Sequence, residues 1–301
     1  MMDFSHFDKT RLAEAKRIKK LLLTDRLVLM PLLPSDAPQA FKWVSDPMVA
    51  KYMRYCPYTS VQKEAEWIDA LASDVDGCEL GVFVEDGSLI GSVGYSASDN
   101  GSYEVGYHFN RNYWNHGYCT ESLNALLAWT SAERGVKVFC ANYAALNTAS
   151  GRVLEKCGFI FERNGEFSKI DGSETFLSKH CVCNMPVVHS MRLAETPFEA
   201  VSAGHKTIEL RLNDYKRQAV SAGDLIVFSH NERKLFARVL RKYEFACFAD
   251  LYAALDLSKC GYLPLETRYA SPTDMEEYYP VEKQQKYGVV GIEFELIAEM
   301  M

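Results

Sequence analysis

The sequence predicts an α/β (α+β) chain in two parts: a mixed, mostly antiparallel sheet with flanking helices, then a small β-rich domain. Three observations carry this. The 301 residues exceed what one typical core organises and suit two. Strand and helix patterns alternate up to about residue 186, and short punctuated strands dominate from 188 onward. Between residues 103 and 159 the order is strand, glycine turn, helix, strand, Asn-capped helix and Gly-Phe return.

Taken in order, residues 1–23 form a helical extension. They carry Asp3, Asp8, Lys9, Arg11, Glu14, Lys16, Arg17, Lys19 and Lys20, so no apolar signal-peptide core is present. Ala15, Ile18 and Leu22 share a helical face, so the segment reads as a basic arm or a docking helix. The first domain spans 24–186. Thr24 to Leu29 opens a strand, and Pro34-Ser35-Asp36 starts a helix through Phe41 and Trp43. Ser60 to Leu71 is a second helix, with Glu64, Glu66 and Asp69 outward and Ala65, Ile68 and Leu71 inward. Leu80–Val84 and Ser88–Val93 are strands joined by Glu85-Asp86-Gly87. Asp99-Asn100-Gly101 is a turn leading into the strand Tyr103–Phe109. Thr120–Arg134 is a helix, Val136–Ala141 a strand, Ser150–Lys156 a helix, and Phe159–Glu166 and Glu174–Cys183 the closing strands. The second domain, 188–301, holds strands at Lys206–Leu212, Leu225–Ser229, Lys234–Tyr243 and Val289–Leu296, with one helix at Phe248–Leu255.

Composition narrows the function. A net charge of −7 excludes a global polycation, so nucleic-acid contact requires a local basic patch. No apolar run approaches the roughly 18 residues of a membrane span. Nine cysteines, an odd number without framework spacing, indicate free thiols in a reducing cytoplasm. Cys181-Val182-Cys183 places two thiols on one strand face beside His180, but no second pair follows. Packing is therefore expected there, and no metal site.

The chemistry concentrates in two segments. Asn115-His116-Gly117-Tyr118-Cys119-Thr120 lies between a strand and a helix. Exposed amides at a helix N-terminus hold a diphosphate, Gly117 permits close approach, and Thr120 adds a hydroxyl. In the second segment Asn147 stands at an N-cap, Ser150 follows three residues later, and Gly158-Phe159 ends the helix.

These segments resemble the coenzyme A site of a GNAT acetyltransferase. The resemblance covers residues 24–186. Tyr113-Trp114-x-x-Gly117-Tyr118-x-Thr120-Glu121 and Asn147-x-x-Ser150-x-Arg152-Val153-x-Glu155-Lys156-x-Gly158-Phe159 are similar to the branch containing ribosomal-protein alanine N-acetyltransferases. Leu27 to Leu32 resembles that branch's opening strand. Acetyl-CoA is the implied co-substrate, held by Phe109, Asn115, His116, Gly117, Tyr118, Cys119, Thr120, Asn147 and Ser150. The implied reaction is direct attack by a primary amine, with Glu104 as base through water and the Phe109 amide polarising the thioester. A half-exposed surface glutamate is the alternative reading of Glu104. Three positions depart from the pattern: Asn115 replaces glycine, Cys119 replaces a smaller residue, and Leu154 stands where many relatives place a tyrosine general acid. Ser150 or solvent then returns the proton to the thiolate. No acyl-enzyme is required, so Cys119 and Cys140 are not expected to act as nucleophiles.

The second domain resembles an ASCH domain, a PUA-like small β-barrel, through Gly204-x-Lys206-Thr207-x-Glu209-x-Arg211, Gly223-Asp224 and Tyr287-Gly288-Val289-Val290-Gly291-Ile292. Strand alternation groups Lys206, Ile208 and Leu210 on one face, with Thr207, Glu209 and Arg211 on the other. Lys206, Thr207, Glu209, Arg211, Lys216 and Arg217 are the candidate RNA- or ligand-binding residues, with an internal Glu209–Arg211 ion pair as the alternative. The leading function is an N-acetyltransferase whose acceptor is a protein N-terminus, a small amine or a nucleoside-linked amine. One alternative is an acetyl-CoA-binding RNA regulator without turnover. Another is an amidohydrolase acting on an acetylated nucleoside.

Overall fold

In the computed structural model, described over residues 4–74, 76–97, 103–263 and 266–300, the chain divides into two units, Met2–Met185 and Pro186–Glu299. The expected turn at Asp99-Asn100-Gly101 lies outside the described residues.

The first unit begins with α1 (Lys9–Arg17), capped by the Asp8 carboxylate, which accepts from the Thr10 and Arg11 amides. Arg11 ties this helix to the body through Asp36 at 2.6 Å and the Pro31 carbonyl at 2.7 Å. Ala15 is buried and Ile18 largely exposed, so the apolar face is narrower than the spacing implies. There follow β1 (Leu22–Leu23), β2 (Val28–Pro31), α2 (Ala37–Val44), α3 (Pro47–Ala50), α4 (Val61–Leu71), β3 (Cys78–Phe83), β4 (Leu89–Ala97), β5 (Tyr103–Phe109), α5 (Tyr118–Arg134), β6 (Val138–Ala144), α6 (Thr148–Lys156), β7 (Ile160–Ser168) and β8 (Thr175–Asn184). The sheet runs β1-β2-β3-β4-β5-β6-β8-β7, and every neighbour pair is antiparallel except β5–β6. A parallel pair needs a crossover, and α5 supplies it. Register sets the two faces. Val28, Met30 and Phe83 join the core beneath α2 and α4, while Leu29, Val82 and Val93 face the other way, where α5 packs on β4.

One expectation about α4 fails here. Glu64 is buried, not outward, because it stands one turn before Ile68 on the stripe that meets the sheet.

The second unit contains β9 (Val188–Arg192), α7 (Glu195–Ser202), β10 (Ile208–Leu212), α8 (Tyr215–Gln218), β11 (Leu225–His230), β12 (Arg233–Phe245), α9 (Phe248–Ala254), α10 (Val281–Tyr287) and β13 (Val289–Met300). Within this unit the strand order is β10-β13-β12-β11-β9, with β9 parallel to β11. The expected barrel is therefore incorrect. Among the described residues no ladder joins β9 to β10, and the sheet stays open. The helix α7, where only strands were expected around Pro197-Phe198, occupies the chain between those two edges. It packs Phe198 and Val201 into the core with Ile226, Phe228, Leu235 and Phe294, so side chains fill the space that a closing ladder would need.

Candidate active site

The cleft of the first unit grows from the way β5 leaves β6. These strands pair only at Tyr103↔Phe139 and Glu104↔Cys140, then separate. From Val105 to Phe109, β5 has no partner on that side, so its amides there are available to a ligand. A cleft of about 710 Å³ fills the fork, lined by Glu104 to Phe109 of β5, Ala141 to Ala144 of β6, and the N-terminal turns of α5 and α6.

The turn before α5 is held open by backbone geometry. Asn115 (φ 63°) and Gly117 (φ 83°) both take left-handed conformations. Asparagine tolerates this region better than other side chains, so its presence in place of glycine leaves the turn intact. Gly117 is the N-cap of α5 and has no side chain to cap the helix. The first-turn amides of Tyr118, Cys119 and Thr120 therefore remain unsatisfied within the helix, at the positive end of a 17-residue dipole. Glu121, an acid in that same turn, is neutralised by Arg26 at 2.6 Å and accepts from Thr24. Arg26 also donates to the His116 carbonyl at 3.0 Å and stacks on Tyr118, whose ring lies parallel to His116. Arg26 was not among the expected site residues; it braces the turn from outside. Cys119 is half-buried in the cleft wall, and burial, reinforced by Cys157, raises its thiol well above the usual range, so it stays protonated. That suits a wall residue, not a nucleophile.

At α6, Asn147 caps the helix by accepting from the Ser150 amide at 3.2 Å. The Ser150 hydroxyl lies 2.9 Å from the Tyr107 hydroxyl, which also donates to the Ser150 carbonyl at 3.1 Å. Tyr107, a cleft-lining residue paired with Ser150, was not among the residues expected from sequence. Leu154 is buried in the cleft wall, and the aromatic hydroxyl arrives from β5 instead. Burial raises Tyr107 well above its ordinary value, so it remains a neutral donor. Strand alternation was the available signal: Tyr107 points opposite to Glu104 and His108.

Glu104 stands at the fork. It accepts from Asn142 Nδ2 at 3.1 Å, and Asn142 Oδ1 meets His180 Nδ1 at 3.0 Å. Four residues further along the same face of β5, His108 is fixed as a neutral ring. Trp43 Nε1, which can only donate, reaches His108 Nδ1 at 3.0 Å, so the ring proton sits on Nε2. Burial lowers this histidine to about 4. Phe109 ends β5, with its carbonyl accepting from Trp114 Nε1 at 2.9 Å.

The second-unit candidates are arranged differently. Lys206 precedes β10, where strand alternation no longer governs it. It is 8 % exposed and its Nζ bonds the Cys260 carbonyl at 2.9 Å and Glu209 at 3.2 Å. Glu209, 4 % exposed, also receives Arg211 at 2.7 Å, and Arg211 donates to the Arg192 carbonyl. The Thr207 backbone bridges Lys259 and Phe294. Arg217 pairs with Asp214, while Lys216 is exposed over the Tyr215 ring. The four basic residues do not form one exposed cluster. Cys181 and Cys183 are both buried.

Comparison with known proteins follows this division. Residues 26–160 match the acetyltransferase (GNAT) domain family, and residues 191–298 match the ASCH domain family. The chain joins a GNAT acetyltransferase domain to an ASCH domain. The GNAT domain is 29% identical to the uncharacterised N-acetyltransferase p20 of Bacillus licheniformis over 46% of this chain and 81% of that protein. It is 28% identical to the uncharacterised N-acetyltransferase YoaA of Bacillus subtilis over 46% and 82%. Among solved structures, a GNAT-family acetyltransferase from Bacillus anthracis is similar over 55% of this chain and 98% of its own, with 22% identity and a TM-score of 0.48. An acetyltransferase from Salmonella typhimurium that modifies the N-terminal serine of ribosomal protein L7/L12 is similar over 55% and 99%, with 15% identity and a TM-score of 0.48. The GNAT domain is an N-acetyltransferase domain. No helix among the described residues is long and apolar enough to cross a membrane.

Proposed function

We propose that the protein transfers the acetyl group of acetyl-CoA to a primary amine at the β5–β6 fork, with Glu104 as base and the Ser150–Tyr107 hydroxyl pair serving the leaving sulfur. The observation that carries this reading is the fork itself. Pairing stops at Glu104, so free amides, a carboxylate and a hydroxyl pair line one opening from different sides.

In this reading the diphosphate lies on the first-turn amides of α5 and the pantetheine runs between β5 and β6 beside Asn147. The acceptor enters from the face carrying Glu104 and His108. Glu104, through water, takes a proton from the ammonium, and the amine attacks the thioester carbon. A C–N bond forms, the C–S bond breaks, the nitrogen gives up its second proton, and the sulfur leaves as a thiolate that takes up that proton equivalent through Ser150. The Phe109 amide faces the carbonyl oxygen as it gains charge. Holding amine and thioester together supplies most of the acceleration.

For the ASCH domain we favour binding over hydrolysis. The Lys206–Glu209–Arg211 set is committed to internal pairs, which leaves no free carboxylate there for water activation. Exposed Lys216 over Tyr215 offers a charge with a stacking ring, the pairing that single-stranded RNA uses. The cysteine usage supports a cytoplasmic setting. The acceptor classes remain a protein N-terminus, a small amine or a nucleoside-linked amine.

Free-thiol release from acetyl-CoA in the presence of an amine panel tests the proposal. Amine-dependent release is expected. Tight acetyl-CoA binding with no amine-dependent release would overturn it in favour of a ligand-responsive binding protein.

A further inference from the structure

The sheet face that carries Glu104 lines the cleft at Gly106 and His108 and continues beyond it to two acids that acetyl transfer itself does not use. Directly opposed residues share a face, so register aligns Glu104, Gly106 and His108 of β5 with Ser92 and Gly94 of β4 and Glu79 of β3. A Cβ at Gly106 would meet nothing within 4 Å, and at Gly94 it would stand 1.9 Å from Glu79 Oε2. The floor is therefore open at Gly106, while the Glu79 carboxylate fills the space over Gly94 at its far end. Aromatic rings roof it: Trp67, Tyr55 and Trp43 meet the His108 ring at 6.0, 5.9 and 6.1 Å.

Glu64 shares the α4 stripe of Trp67, one turn away. It is 1 % exposed, and its Oε1 has no hydrogen-bond partner among the described residues. A buried carboxylate without a partner is costly to keep. Burial raises Glu64 to about 7. Burial also raises Glu79 to about 7, opposed by a hydrogen bond from Ser92 and reinforced by Glu64. No lysine or arginine among the described residues pairs with either acid. Two carboxyls are thus left without a cation on the sheet face that carries Glu104.

We propose that this stretch of the face, adjoining the cleft at Gly106 and His108, is a subsite for a second cationic group, so that the acceptor is a diamine or a comparable dicationic amine. Glu104 receives the attacking nitrogen, while Glu79 and Glu64 hold the distal ammonium beneath Trp67 and Tyr55. The inference rests on the transferase reading of the cleft. The ammonium supplies the charge both acids lack, and the rings add cation–π attraction. Glu104 and Glu79 are two strands and two residues apart, about 12 Å at the backbone from standard sheet spacings. The subsite therefore reads spacer length as well as charge.

The test compares propylamine with diaminopropane, diaminobutane and diaminohexane by thiol release, using the full chain and its Glu64→Gln and Glu79→Gln variants. In the unmodified protein one diamine should exceed propylamine in kcat/KM by about 30-fold, the scale of one charge-assisted contact. Each variant should lose about 10-fold on that diamine, mainly through KM, with propylamine and the KM for acetyl-CoA unchanged. If one variant fails to fold, the other reads the same contact. Equal use of propylamine and every diamine overturns the subsite while leaving the transferase intact. So does an equal loss for both amine types in the variants. Acetyl-CoA binding without release for any amine overturns the transferase reading and the subsite with it.

Discussion

The two domains treat polar groups in opposite ways. In the GNAT domain the groups that matter lack partners: the first-turn amides of α5, the strand amides of β5 beyond Glu104, and Oε1 of buried Glu64. In the ASCH domain Lys206 and Arg211 form ion pairs with Glu209 and donate to backbone carbonyls, so the charges are matched even though Glu209 Oε2 accepts no hydrogen bond among the described residues. The contrast teaches how to weigh a motif. A polar group left unsatisfied in a cleft costs stability and points to a ligand, whereas a satisfied one points to architecture.

Five substitutions break or sharpen that contrast, and the largest effect belongs at the turn. Gly117→Val forces a β-branched residue into left-handed backbone and should weaken acetyl-CoA by about 10³-fold, near 4 kcal/mol. Titration calorimetry measures this, with circular dichroism confirming an intact fold. Next, Glu209→Gln leaves two buried cations without their carboxylate and should lower unfolding stability by about 3 kcal/mol in urea titrations. If it instead leaves stability unchanged and strengthens RNA binding, the cluster is a ligand site and the contrast fails. Glu104→Gln should lower kcat by about 10²-fold with acetyl-CoA affinity retained. Tyr107→Phe should cost about 10-fold in kcat, and Ser150→Ala a similar amount. The double variant should show less than the product of the two, because the hydroxyls act as one pair.

The smallest effect is a pH dependence. Glu64 has an ordinary value of 4.5 and is raised to about 7 by burial. The folded state therefore binds its proton more tightly than the unfolded chain does. The stabilisation is full below about 4.5 and is lost as pH rises through about 7. Glu64→Gln should be more stable than the parent protein above neutrality, and the advantage should shrink as pH falls toward 4.5. Thermal melts across that range give the sign, and a constant difference would mean Glu64 does not titrate there.

Much of the GNAT domain was legible because its signals are local. A positive-φ asparagine and glycine before a helix, an Asn cap and a Gly-Phe exit declare themselves in sequence order. Tyr107 and His108 escaped because their roles depend on which strand face they occupy and on partners 43 and 65 residues away. Glu64 was misplaced because a charged residue on a helix reads as solvated until its neighbours are known. In the ASCH domain, strand periodicity implied a sheet but not its closure. Closure depends on what lies between the edges, and α7 was hidden by a short segment with a proline near its start. The run Lys206 to Arg211 showed its charges but not that Glu209 would receive both cations.

The most direct test of the central claim is a crystal structure with acetyl-CoA bound. The account predicts diphosphate oxygens within hydrogen-bond reach of the amides at Gly117 to Thr120, and a thioester carbonyl in the β5–β6 fork beside Phe109. A diphosphate elsewhere, or a thioester outside the fork with Glu104 remote from it, would contradict the account.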